Sequence, residues 1–229
     1  MENSKMKNRR VWKIVFPVGI CAAEFMVMAF YLYPKARSGE LLSVRHASEN
    51  LPGIFMQSVV PFLIPSALLI LSALLLRKDF AKQMYMPLKG NWQRITAGIL
   101  IFAILGLTVW CLAVMEDKAS VLFSLFYYAV FVAFAEEFVC RDVCTWFLKD
   151  FSWPVRYLIP NICFALLHVF SAANWGGITG TVLVHFLTAD ALGLAAAGCL
   201  FQLLKEKSGT IWLPVLLHTL MDYSAVLNY

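Results

Sequence analysis

The sequence predicts an all-α, polytopic membrane protein of about seven spans, and three observations lead there. Of its 229 residues, 61% are hydrophobic and 14% charged, and the mean hydropathy is +0.73, more apolar surface than a water-soluble domain of this size conceals. The apolar residues gather into stretches close to the ~20 residues that a helix needs to cross a bilayer core. The cations, finally, fall mainly in alternate gaps between those stretches.

Taken in order, the stretches are 11–33, 54–76, 95–115, 121–140, 157–173, 181–204 and 210–228. The first follows Lys5, Lys7, Arg9 and Arg10 and takes in Lys13 at its start, but it is long for a secretory signal and lacks a small-residue cleavage site, so a retained span is expected. Pro61 and Pro65 predict a kink in the second, which neighbouring helices tolerate by re-satisfying the freed carbonyls. The fifth is short. No repeat, low-complexity tract or long polar segment interrupts the series, and the chain reads as a single transmembrane domain over 1–229.

Fifteen of the 19 Lys and Arg precede or enter the first stretch or lie in 77–94, 141–156 and 205–207, against four on the other side, Lys35, Arg37, Arg45 and Lys118. By the positive-inside rule the N-terminus is cytosolic. The net charge of +5 is scattered rather than clustered, which argues against a nucleic-acid partner. The six cysteines lie in or at the ends of apolar stretches without CxxC spacing, and read as small buried residues rather than a disulfide or zinc scaffold.

Ionisable groups at bilayer depth are costly, and each is by default a functional candidate. In the segment AFAEEFVCRDV, Glu137 and Arg141 are one α-helical turn apart and able to pair, leaving Glu136 to point about 100° away. Two adjacent acids in an apolar medium repel, which suits one of them to take and return a proton. Taken alone, the cluster fits interfacial side chains reaching for headgroups equally well. Phe164 and His168 form FALLH in the fifth stretch, where a single His also serves as an interhelical hydrogen-bonding group. His218 and Asp222, in HTLMD, share a face of the seventh, so the acid is placed to orient the ring. His168 lies 11 residues inside position 157, His218 lies 8 inside position 210, and Glu136 is near the cytosolic end of its helix. At about 1.5 Å per residue all three fall in the cytosolic half, which predicts a cytosol-facing polar cavity. His185, Asp190 and Glu24 are buried polar candidates without an assigned role, and Gly193 and Gly198 suggest close helix approach.

These three motifs, EExxxR at Glu136–Arg141, FxxxH at Phe164–His168 and HxxxD at His218–Asp222, resemble the CAAX-protease and bacteriocin-processing (Abi) family of glutamic intramembrane endopeptidases. The resemblance covers about 121–226. It implies that Glu136 activates a water with help from His168, that Glu137 and Arg141 support them, and that His218 with Asp222 stabilises the oxyanion. A positioned base and donors aimed at developing charge are the main levers on amide hydrolysis. Two departures stand out: Cys140 and Asp142 flank the arginine, where the family often has an aromatic residue and a glycine, and Asp222 stands where the CAAX-processing branch has Asn. An ionised Asp has no proton to donate to an oxyanion, so a role acting on His218 is expected for it.

The expected partners are the lipid bilayer and a hydrophobic, lipid-modified or membrane-embedded peptide; oligomeric state is not legible. No cofactor is expected. The nearest rival is a zinc peptidase with Glu136, His168 and His218 as ligands, although no HExxH is present. Two other classes are a proton-coupled transporter, for which related halves are missing, and a non-catalytic immunity or signalling scaffold.

Overall fold

The computed structural model describes residues 2–76, 88–172 and 177–228. Among them every regular element is helical, and six helices are long and apolar enough to cross a membrane: Val11–Ser38, Leu51–Leu68, Asn91–Val114, Lys118–Leu148, Trp153–Ser171 and Gly180–Ser208. The protein is therefore an all-α, multi-pass membrane protein. Six of the expected stretches are accounted for. The seventh is an α-helix of only 12 residues, Trp212–Tyr223, continued by a 3₁₀ segment, Ser224–Asn228, and is shorter than the six spanning helices. The end of the fifth stretch, at 173, and most of the basic segment 77–94 lie outside the described residues.

Helix Asn91–Val114 shows why lipid is the solvent. Its buried positions, Ala97, Leu100, Ile104, Thr108 and Cys111, recur at three- and four-residue intervals, as expected of one packed face. The opposite face carries Ile95, Ile99, Phe102 and Val109, all exposed. An element apolar all round, with its bulkiest residues outward, is at home only against acyl chains. The helix that starts at Leu51 runs unbroken through both Pro61 and Pro65.

The chain divides into two compact units. The first comprises Met1–Leu41 and Val139–Gln202. In it the N-terminal helix packs on Trp153–Leu167 and Thr145–Leu148. Phe170 anchors this unit, with Phe25 and Tyr33 at ring separations of 5.1 and 5.4 Å. The second comprises Leu42–Phe138 and Leu203–Tyr229. Here the short helix Trp212–Tyr223 packs on Asn91–Val114 and on the segment Tyr127–Phe134, closing a core of Ile104, Cys111, Val121, Tyr223 and Val226.

Outside the spans, Asp117 begins the helix at Lys118. Its carboxylate accepts from the Ser120 backbone N–H at 3.0 Å and from the hydroxyls of Ser48 and Ser120 at 2.5 Å each. Those hydroxyls hold the carboxyl below its ordinary range. The stabilisation is thus complete above the unfolded-state value of about 3.9 and is lost as pH falls through the lower folded value. Asp117→Ala is expected to cost about 1 kcal/mol, the usual penalty for losing an N-cap, with Asp117→Asn nearer neutral; thermal unfolding in detergent measures both.

Candidate active site

The acidic pair sits between two segments of wide helical turn. Tyr127–Phe134 and Phe138–Cys144 are π-helical, and only Ala135–Glu137 between them is α-helical. This differs from the uniform α-helical spacing expected of EExxxR. Turns closed by i→i+5 bonds re-aim the side chains that follow them, and such turns recur at functional sites. Downstream, the Thr145 hydroxyl donates to the Arg141 carbonyl, satisfying one acceptor of the second wide turn.

In the second unit, four of the expected residues come together around one imidazole. Aromatic packing brings their elements into register: Phe134 stacks with Phe138 at 5.9 Å and with Trp212 at 6.1 Å between ring centres. The helix bearing His218 is started by a tight turn. Gly209, at φ +67°, donates its N–H to the Lys205 carbonyl, the left-handed C-terminal stop that glycine adopts without steric cost. His218 Nδ1 then lies 3.0 Å from Glu137 Oε1, while Nε2 lies 3.7 Å from Glu136 Oε2 and 3.3 Å from Asp222 Oδ2.

The protonation chemistry follows from that geometry. A carboxylate only accepts, so Nδ1 carries a proton and donates it to Glu137. Nε2 then faces two acids. Either it too is protonated, or one of the acids carries the proton, so a single mobile proton is shared over three groups. Burial divides the acids by role: Glu137 is 0% exposed, whereas the side chains of Glu136 and Asp222 are 23% and 33% exposed. Glu137 is placed to hold the ring, and Glu136 and Asp222 to meet something from outside. The spacing within EExxxR pointed Glu137 only towards Arg141, and did not foresee its bond to His218.

The remaining three predicted residues meet in the first unit. Arg141 is fully buried, with its guanidinium 4.6 Å from the centre of the Phe164 ring and 5.8 Å from that of Phe201. Phe164 also packs on the His168 ring at 4.7 Å, so one aromatic side chain ties the EExxxR arginine to the FxxxH histidine through a desolvated cation–π contact. His168 is not mid-helix. It caps Trp153–Leu167, and its Nδ1 lies 2.9 Å from the Phe164 carbonyl. That carbonyl is one the helix end would otherwise leave unsatisfied. With Nδ1 donating, the lone pair of the neutral ring resides on Nε2.

Two residues that sequence reasoning overlooked lie in the same unit as Arg141. Asn161 and Gln202 are both buried; Asn161 Nδ2 donates to Gln202 Oε1 at 3.2 Å, and Gln202 Nε2 donates to the Arg156 carbonyl at 3.1 Å. The available signal was an amide three residues before Phe164 and seven before His168, on the same helical face. Gly198 bears out the expected close approach, since a Cβ there would meet Asn161 Oδ1 and lie 2.9 Å from an Arg141 terminal nitrogen. At Gly193 a Cβ would meet nothing within 4 Å. Gly198→Ala is accordingly expected to destabilise by about 1–3 kcal/mol, as overpacking does, with Gly193→Ala as the silent control; the melting temperature in detergent separates them.

Of the other candidates, His185 is exposed and Asp190 partly buried, while Glu24 is an electrostatic neighbour of Cys140. Among the described residues no three His, Cys, Asp or Glu side chains are arranged to hold a metal ion. The family model for type II CAAX prenyl endopeptidase Rce1-like proteins matches residues 118–224, an interval containing Glu136, Glu137, Arg141, Phe164, His168, His218 and Asp222. No curated protein and no solved structure is significantly similar to the chain.

Proposed function

We propose, given that residues 118–224 place this multi-pass membrane protein in the CAAX-protease family of endopeptidases, that it hydrolyses a peptide bond of a hydrophobic substrate with a water activated by Glu136. The observation that carries this reading is the His218 ring, bonded through Nδ1 to a buried acid and presenting Nε2 to two more accessible ones. In the proposed cycle Glu136 takes a proton from water as the oxygen attacks the carbonyl. The Nε2–H of His218 donates to the oxyanion that forms, with Asp222 acting on His218 rather than on the oxyanion. Glu136 then returns its proton to the leaving amine. Glu137 fixes the ring's tautomer and plane, so the ring itself needs no reorientation when charge develops; its Nε2–H has only to turn from Asp222, 3.3 Å away, to the oxyanion.

His168 is kept in the catalytic set on the strength of the FxxxH match, with Phe164 and Arg141 supporting it. The substrate proposed is a lipid-modified or membrane-embedded peptide, and a prenylated C-terminal peptide is the first to try. The N-terminus is proposed to be cytosolic, on the strength of 15 cations against four.

Purified protein in phosphatidylcholine vesicles, offered prenylated and unmodified apolar peptides, tests the reading by mass spectrometry of the products. Cleavage that persists in strong chelator is the expected result. Cleavage lost to chelator and restored by zinc would transfer the chemistry to the Glu136, His168 and His218 metal reading. No cleavage of any peptide by well-folded protein would leave the scaffold reading standing.

A further inference from the structure

Within the first unit, Phe164 joins Arg141 to His168, and a further side chain turns its polar end to the same guanidinium. Asn161 lies on Trp153–Leu167, three residues before Phe164, and is 1% exposed. Its amide has a fixed orientation. Nδ2 donates to the Tyr157 carbonyl at 2.8 Å and to Gln202 Oε1 at 3.2 Å, with the Cys199 sulfur 3.3 Å away. Gln202 is held the same way round, because its own Nε2 donates to the Arg156 carbonyl. Turning the Asn161 amide over would set its oxygen against two acceptors. The oxygen is aimed instead at Gly198, where a Cβ would lie 2.4 Å from Asn161 Oδ1 and 2.9 Å from Arg141 Nη2. Amide oxygen and guanidinium nitrogen thus flank one point and are no farther apart than the sum of those two distances. Among the described residues none donates a hydrogen bond to that oxygen.

We infer that Asn161 is a positioning residue: its amide oxygen holds the Arg141 guanidinium against the Phe164 ring, and Phe164 in turn sets the plane of the His168 ring. A buried oxygen that accepts no hydrogen bond is costly to keep. A neighbouring cation offsets that cost, since attraction between a charge and a dipole is strong where water is excluded. The guanidinium is fully buried, 4.6 Å from the centre of the Phe164 ring and 5.8 Å from that of Phe201. Aromatic faces attract a cation but give it no directional bond, so they leave its position over the rings loosely set. The amide oxygen supplies the direction. On the far side of this contact Phe164 meets the His168 ring at 4.7 Å, while the Phe164 carbonyl lies 2.9 Å from His168 Nδ1. A bond to Nδ1 alone leaves the imidazole able to tilt about that contact, and the packed phenyl ring removes the freedom and aims Nε2. Interhelical hydrogen bonding, the ordinary role of an amide in a membrane span, accounts for Nδ2 only. The catalytic consequence rests on the peptidase reading; the placement of the His168 ring does not.

The test compares the unsubstituted full-length protein with three variants. Asn161→Leu removes the amide at similar volume, and Asn161→Asp keeps an oxygen towards Arg141 while losing the bond to Gln202. Gln202→Leu breaks the amide pair, yet the Tyr157 carbonyl still orients Asn161. Ring resonances of the four histidines are followed by NMR in detergent micelles, with His168 assigned by its loss in His168→Gln and its placement marked by the Phe164 ring current. In Asn161→Leu the His168 resonances should move by more than their line width while those of His46 and His185 stay in place. In Asn161→Asp and Gln202→Leu all of them should hold the parental positions. On a peptide that the parent cleaves, Asn161→Leu should lower kcat by about 10²-fold with KM little changed, the scale of loss when a reacting group is misplaced, and Asn161→Asp should restore it. If the parent cleaves no peptide, the peptidase reading falls and the resonances decide alone. Should Asn161→Leu fail to fold, Asn161→Ala is read in the same way. Unmoved His168 resonances in the folded variant would overturn the inference, and so would an equal displacement in Gln202→Leu, which would reduce Asn161 to a bond between helices.

Discussion

Glu136→Gln is expected to remove peptide cleavage almost completely, by a factor on the order of 10²–10⁴, the usual contribution of a positioned general base. The amide keeps the shape of the acid and still offers an oxygen towards His218, so accumulation in the membrane and melting temperature should stay close to those of the parent. Initial rates on a prenylated peptide, paired with thermal unfolding in detergent, check both halves. Cleavage within tenfold of the parent would remove Glu136 from the role of base. Glu137→Gln provides the contrast within the same dipeptide. Its parent acid is fully buried against His218 Nδ1, so its loss should change the pH profile and the ring's orientation rather than delete the base.

His218→Ala is expected to lower turnover by about 10²–10³, the range seen when one oxyanion donor is removed. It should also destabilise the second unit by about 1–3 kcal/mol, because Glu137 loses the donor 3.0 Å away inside a buried site. The two effects separate in His218→Gln, which retains a donor towards Glu137 but has no ring nitrogen to serve the oxyanion. That variant should recover most of the stability and little of the rate. If Glu136 and His218 act in one step, the double variant should be scarcely slower than the worse single one, as groups acting as a unit are strongly non-additive. Full additivity of the two losses would show that they serve separate events.

Each of the three motifs was legible because its spacing is local. HxxxD lies on one α-helix, so His218 and Asp222 share a face by elementary periodicity, and the 3.3 Å contact follows. FxxxH was legible as a motif for the same reason, whereas the contact between the Phe164 and His168 rings came from the structure. EExxxR was read less well. The α-helical period assumed for it fails where the chain widens into π turns on both sides of Glu136 and Glu137, and no local propensity announces such turns. The partnership of Glu137 with His218 joins residues 81 apart in sequence, beyond the reach of any periodicity argument. The Asn161–Gln202 pair was missed for the same reason, since its members are 41 residues apart on different helices.

Composition and periodicity alone establish that lipid surrounds most of this chain, where six of its helices run, and which acids and imidazoles are too costly at that depth to be incidental. Packing decides the rest. Only the folded chain makes the seventh apolar stretch a short helix closing a core and hands Glu137 to His218. The division has a physical origin. Transfer of apolar groups out of water depends on each residue's own side chain, whereas a hydrogen bond depends on where two distant backbones bring their side chains to rest.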